Sequence, residues 1–115
     1  MRVLVCGSRG WTDYDAILRR LAQIEETRPT IVNGAAGGAD TMADRAAKTL
    51  NLTVERYPAD WATYGKRAGF IRNEQMLDTG VDLVIAFWDG QSRGTQHTIE
   101  SAKRRGIPVE VIGND

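Results

Sequence analysis

Four segments of this chain hold residues whose types and spacing could do chemistry, and all four bear glycine beside hydrogen-bond donors. In Gly7-Ser8-Arg9-Gly10-Trp11 the glycines let the backbone turn and approach a ligand, while Ser8 and Arg9 can donate to a phosphate. The Gly-x-x-Gly spacing is not the six-residue dinucleotide fingerprint, and the segment reads equally as a strand-to-helix turn with a solvated Arg9. The second, Asn33-Gly34-Ala35-Ala36-Gly37-Gly38-Ala39-Asp40, runs into a helix start, where free backbone N–H groups carry partial positive charge and suit an anion. It lacks the lysine of a nucleoside-triphosphate loop, which leaves a phosphate over the N–H groups and a ribose met by Asp40 or Asn33. Six small residues exceed what close packing needs, although Asp40 could also simply cap the helix.

The third segment is a helix over 66–78 on which Gly69, Arg72, Asn73 and Met76 share one stripe. A guanidinium drawn inward needs partners, and a ligand phosphate or carboxylate would serve. Alternatively Phe70, Ile71 and Leu77 face inward and Arg72 lies in solvent. The fourth, Trp88-Asp89-Gly90-Gln91-Ser92-Arg93-Gly94-Thr95, opens another helix with donors at Ser92, Arg93 and Thr95. Trp11, Trp61 and Trp88 each follow an expected strand end within a few residues. An indole there either plugs the core or stacks on a flat ring, and three on one rim favour at least one ligand contact.

The elements that must position these residues are legible from periodicity. Short apolar runs at Val3–Cys6, Thr30–Val32, Thr53–Tyr57, Leu83–Phe87 and Val109–Ile112 read as strands, the fourth as a central one covered on both faces. Between them lie helices: one capped by Thr12 or Asp13 with Ile17, Leu18, Leu21 and Ile24 inward, one carrying Met42, Ala43, Ala46, Ala47 and Leu50, one over 66–78 closed by Gly80, and one over 95–105 closed by Gly106. Residues 59–65 read as loop. The alternation predicts an α/β fold, a single Rossmann-like three-layer domain over 1–115 with a five-stranded parallel sheet in the order 3-2-1-4-5. Ligands of such sheets bind at the carboxyl ends of the strands near the switch of direction, where the glycine-bearing segments fall.

Composition narrows the chemistry. The chain has 115 residues, 15 basic against 15 acidic, one His and one Cys. Cys6 alone can form no internal disulfide, and one Cys with one His cannot build a four-ligand zinc site. Zero net charge argues against duplex DNA, which demands a cationic surface, and does not exclude a small anion. Cys6 reads as a buried strand residue, and His97 as an exposed surface histidine or a general acid. No targeting signal or membrane-length apolar stretch is visible, so the expectation is a cytoplasmic protein needing neither metal nor cofactor.

Taken in order, Gly7-Ser8-Arg9, Gly34-x-Ala36-x-Gly38-Ala39-Asp40, Ala68-Gly69-x-x-Arg72-Asn73-x-x-Met76 and Gly94-Thr95 resemble the YspA-like (YpsA-related) branch of the SLOG superfamily, which groups the LOG phosphoribohydrolases with DprA/Smf. The resemblance spans essentially the whole chain. It implies a Rossmann-like fold and a site for a nucleotide or nucleotide-derived ligand such as ADP-ribose or an NAD fragment, bound by a sensor, carrier or sequestering protein. A homodimer is implied as well. Arg72 and Met76 match the Arg-Lys-x-x-Met element of the LOG enzymes, with Asn73 in place of Lys. Gly94-Thr95 matches the Gly-Thr of their Pro-Gly-Gly-x-Gly-Thr-x-x-Glu motif, but Gly90-Gln91-Ser92 replaces the Pro-Gly-Gly and Thr98 holds the Glu position. Glu100, about 200° further round the helix, should face away. A position often filled by Arg in YspA-like proteins is Gly37 here.

A phosphoribohydrolase is therefore the alternative, with Arg72 catalytic and Asp40, Asp60 or Glu74 standing in for the missing Glu beside an oxocarbenium-like centre. Single-stranded DNA binding is disfavoured, since the balanced charge supplies no cationic track.

Overall fold

A computed structural model describes residues 1–113. Five parallel strands, β1 (Arg2–Gly7), β2 (Thr30–Asn33), β3 (Thr53–Arg56), β4 (Leu83–Trp88) and β5 (Val109–Gly113), form one sheet in the order β3-β2-β1-β4-β5. This is the expected α/β topology. The central pair runs in register from Val3 beside Leu83 to Gly7 beside Phe87.

Alternation along β1 and β4 divides the core into two layers. Val3, Val5, Ile85 and Phe87 face one side, where helices α1 (Tyr14–Ala22) and α2 (Ala39–Thr49) pack through Ile17, Leu21 and a row of buried alanines. Leu4, Cys6, Val84 and Ala86 face the other, covered by α4 (Ala68–Asp78) and α5 (Arg93–Arg104) through Met76, Leu77, Ile99 and Ala102. The small residues of α2 bring its start close to the sheet's carboxyl edge. The expected helix ends hold: Asp13 caps α1 by accepting from the Ala16 N–H, and Gly80 and Gly106 take positive φ after α4 and α5.

Several boundaries depart from the sequence reading, β3 ending at Arg56 rather than Tyr57 among them. Within the expected loop at 59–65, Trp61–Tyr64 forms one helical turn, α3, because the Asp60 side chain accepts from the Thr63 N–H. Gly65–Arg67 then winds as a 3-10 turn, so α4 begins at Ala68 rather than Lys66. Gly65 permits this by taking φ +59°, a left-handed value that costs glycine little. At the other helix, Ser92 accepts from the Thr95 N–H and starts α5 two residues earlier than expected.

Among the described residues no helix is long and apolar enough to cross a membrane.

Candidate functional site

The carboxyl ends of β1 and β4 and the starts of α2, α4 and α5 enclose a cavity of about 440 Å³. That lies within the common range for small-molecule sites, about 300–1,000 Å³. Its position follows from topology. The chain leaves β1 in one direction and returns through β4 on the other side, so the flanking loops diverge and leave a crevice.

Ser8 ties the rim together. Its carbonyl accepts from the N–H groups of Trp11 (3.1 Å) and Ala39 (3.2 Å), and its Oγ accepts from the Asp89 N–H at 3.0 Å. One buried residue thus joins the loops after β1 and β4 to the start of α2. The fit requires glycine at 38. Gly38 sits at φ +67°, and a Cβ there would stand 2.5 Å from the Ser8 carbonyl oxygen. On the far side the Asp89 carboxylate accepts from the N–H groups of Gln91 and Ser92, which holds it below its ordinary range, and the Trp88 indole donates to the Ser92 carbonyl.

Asp40 lines the cavity as expected, but its carboxylate also holds the loop. It lies in the first turn of α2 but does not cap that helix; Gly38 stands at the cap position. Instead its Oδ2 accepts from the Gly34 N–H (3.1 Å) and the Ala36 N–H (3.2 Å), folding the glycine-rich loop back over the carboxyl group. The side chain is 94% removed from solvent, the residue being 6% exposed. Burial pushes its pKa up to about 6, against the opposing pull of the two N–H groups and of Arg72.

Arg72 reaches across from α4. Its Nε donates to the Asn73 Oδ1 at 2.9 Å, and its Nη1 donates to the carbonyls of Gly34 and Tyr57, the latter at 3.5 Å. It therefore ties together the ends of β2 and β3 besides facing the cavity. Desolvation lowers its pKa, yet a guanidinium stays charged at any ordinary pH. Asn73, buried, continues the chain of contacts by donating from Nδ2 to the Gly94 carbonyl and pairing with the His97 Nδ1. The buried face of α4 is thus Ala68, Asn73, Met76 and Leu77, while Phe70 is exposed at the rim.

Of the residues singled out from the sequence, Gly7, Ser8, Arg9, Ala36, Asp40, Trp61, Arg72, Asn73, Met76, Ser92, Gly94 and Thr95 line the cavity. Others stand behind it. Asn33 is fully buried with both ends of its amide occupied, Nδ2 donating to Asp44 and Oδ1 accepting from the Ala35 N–H, which holds Ala35 at φ +55°. It is thus committed to shaping the loop, not to a ribose. Gly34, Ala35, Gly37 and Gly38 do not line the cavity either: Gly34 is buried against Arg72, Gly38 packs on the Ser8–Arg9 backbone, and a side chain at Gly37 would meet open space. Arg93 is exposed and does not line the cavity, and Trp88 braces the loop.

Glu74 lies on the seam between α4 and α5, bound to Ser101 (2.8 Å), Arg105 (2.6 Å) and the His97 Nε2 (3.1 Å). These partners take it out of the cavity lining. His97 is accordingly wedged in that seam under Phe70, with ring centroids 4.6 Å apart, and not on the open surface. Trp11 plugs the core edge-on to Phe87, which leaves Trp61, 52% exposed, as the tryptophan that faces the cavity. Glu100 is exposed and pairs with Gln96, away from the site as its helical position implies.

Gly10, Gly69 and Asp89, from the segments read as chemistry-bearing, line the cavity too, as do Lys66 and Thr98, whereas Cys6 and Phe70 were not read as site residues and yet line it. For Cys6 the signal was present: alternation puts it on the α4 side one residue before the strand ends. Its thiol is buried and pushed well above the ordinary range, which leaves it a neutral wall.

The cavity thus presents three cations, Arg9, Lys66 and Arg72, with the exposed N-terminal turn of α5, an open indole, and two carboxyl groups, the buried Asp40 and the loop-bound Asp89. Among the described residues no group of three or more His, Cys, Asp or Glu is placed to hold a metal ion.

Comparison with known proteins identifies the family and the fold. Residues 1–64 match the family described as "YspA, cpYpsA-related SLOG family". The chain is 40% identical over 121 residues to the Gene 61 protein of Mycobacterium phage D29, covering 98% of this chain and 97% of that protein. Two solved structures share the fold. The X-ray structure of TM1055 superposes with a TM-score of 0.75 at 19% identity, over 94% of this chain and 71% of that one. DNA processing protein A (DprA) from Streptococcus pneumoniae superposes with a TM-score of 0.76 at 23% identity, over 99% of this chain and 50% of that one. The chain belongs to the YspA, cpYpsA-related SLOG family.

Proposed function

We propose that this protein binds a phosphorylated, nucleotide-derived ligand, of the class of ADP-ribose or a fragment of NAD, as a sensor, carrier or sequestering protein. The observation that carries the reading is the composition of the cavity at the switch point. A phosphate placed there meets Arg9, Lys66 and the first turn of α5, and a base meets the open face of Trp61. The surrounding loops are pinned by Ser8, Asp40 and Asp89, so little ordering entropy opposes binding.

The phosphoribohydrolase alternative has less support. Thr98 stands where the LOG enzymes carry Glu and donates to the Gly94 carbonyl, and Glu74 is engaged elsewhere. Asp40 and Asp89 are the carboxylates lining the cavity, and both already accept backbone hydrogen bonds. The lack of net charge speaks against a nucleic-acid track.

Thermal unfolding with AMP, ADP-ribose, NAD and cyclic ADP-ribose tests the reading. A ligand at a hundred times its Kd adds about 2.7 kcal/mol, which raises the midpoint by several degrees. A midpoint unmoved by every nucleotide at saturating concentration overturns it. Release of free base during the incubation would instead favour the hydrolase.

A further inference from the structure

Asp40 and Arg72 face the same cavity and feel each other's charge, yet each makes its hydrogen bonds to other groups. The Oδ2 of Asp40 is occupied by two loop N–H groups, whereas Oδ1 has no hydrogen-bond partner among the described residues and is not fully buried. On Arg72, Nε and Nη1 are bound to Asn73, Gly34 and Tyr57, and Nη2 is left in the same condition. The walls beside them are the neutral thiol of Cys6 and the thioether of Met76, which satisfy neither group. Both residues line one cavity and both bind the backbone of Gly34, so a carboxylate oxygen free to accept and a guanidinium N–H free to donate lie beside the same loop.

A hydroxyl answers both from a single atom, donating through its hydrogen and accepting through its oxygen. A phosphate or carboxylate would satisfy Arg72 but be repelled by Asp40. An amine would satisfy Asp40 but not Arg72. We propose that Asp40 and Arg72 together read a sugar hydroxyl, so that the cavity selects a ribonucleotide-type ligand over its deoxy counterpart. This rests on the nucleotide-binding reading above and names the part of the ligand that the buried end of the cavity recognises. A site built to bond a hydroxyl rejects the analogue lacking it, because its buried polar groups are then left unpaired.

The test is calorimetric titration at pH 8 with AMP, 2′-deoxy-AMP and 3′-deoxy-AMP, on the native chain and on Asp40→Asn. For the native protein, loss of the recognised hydroxyl weakens binding about 10- to 100-fold, the range of a charge-assisted hydrogen bond. In Asp40→Asn, which keeps an oxygen for the loop N–H groups but turns an amide donor toward the hydroxyl, the ratio between AMP and the discriminated analogue falls to about threefold or less. Equal binding of all three nucleotides by the native chain, which needs no variant, overturns the hydroxyl assignment and leaves nucleotide binding standing. Undiminished discrimination in Asp40→Asn overturns it equally. Failure of every nucleotide to bind removes the reading on which it rests.

Discussion

Asp40→Asn should stabilise the protein at neutral pH while impairing its ligand site. The folded chain holds this carboxyl at a pKa of about 6 against an ordinary 3.8, so between those values the folded state binds more protons than the unfolded one. Stability contributed by this group is therefore fully present below about pH 4 and is lost as the pH rises through 6. The difference corresponds to about 3 kcal/mol, and replacing the carboxylate by a neutral amide that still accepts from Gly34 and Ala36 should recover about 1–3 kcal/mol of it. For a domain of this length about 1 kcal/mol moves the midpoint by about 4 °C, so the variant should melt about 4–12 °C higher at pH 8. Paired melting curves of the two proteins from pH 4 to pH 8 are the assay, since other titrating groups cancel in the difference. The gap should close toward pH 4. A variant less stable at pH 8, or a gap that does not change with pH, would refute the claim that the fold bears the cost of burying a charge here.

Three further outcomes follow from the same geometry. Trp61→Ala should leave the melting temperature within about 1 °C, since the side chain is half exposed, yet weaken a nucleotide by about 1–3 kcal/mol, checked by titration with AMP. Gly34→Ala would place a Cβ 2.5 Å from the Arg72 Nη1, and the flexible guanidinium would swing aside. The expected cost is about 1 kcal/mol in urea unfolding, with a larger loss of ligand affinity as Arg72 leaves its seat. Away from the site, Arg2 grips Glu55 through two hydrogen bonds, and this holds the Glu55 pKa at about 2. Because the folded pKa is depressed, that pair's stability is present above pH 4.5 and fades as the pH falls toward 2. The Glu55 side chain is 39% exposed, which limits it to about 1 kcal/mol, and Arg2→Gln should flatten that part of the acid-unfolding curve.

Local pattern carried the fold because each strand and helix is specified by its own residues. Val3 to Cys6 and Leu83 to Phe87 can only be strands buried on both faces, and the alternation with helices leaves a parallel sheet as the economical solution. The glycine-bearing loops were legible for the same reason. What the sequence could not disclose were commitments between distant residues. Asn33 reads as a free polar group until its amide is seen spent on Asp44 and Ala35. Arg72 reads as a cation awaiting an anion, whereas the carbonyls after β2 and β3 already hold one of its nitrogens. Glu74 belongs to a seam whose other members, Arg105 and Ser101, lie on a different helix. Asp40 reads as a ribose contact or a helix cap, and its hold on the loop is hidden because its partners precede it along the chain and return only through the turn at Ala35.

The central claim is that the cavity at the ends of β1 and β4 takes a phosphorylated nucleotide-type ligand. Amide NMR spectra of the labelled protein titrated with AMP and ADP-ribose test it residue by residue. The account predicts saturable shifts concentrated at Arg9, Gly10, Ala36, Gly94 and Thr95 and at the Trp61 indole N–H, with the Arg72→Ala protein responding weakly or not at all. An unchanged spectrum, or shifts gathered on a surface away from these residues, would contradict it.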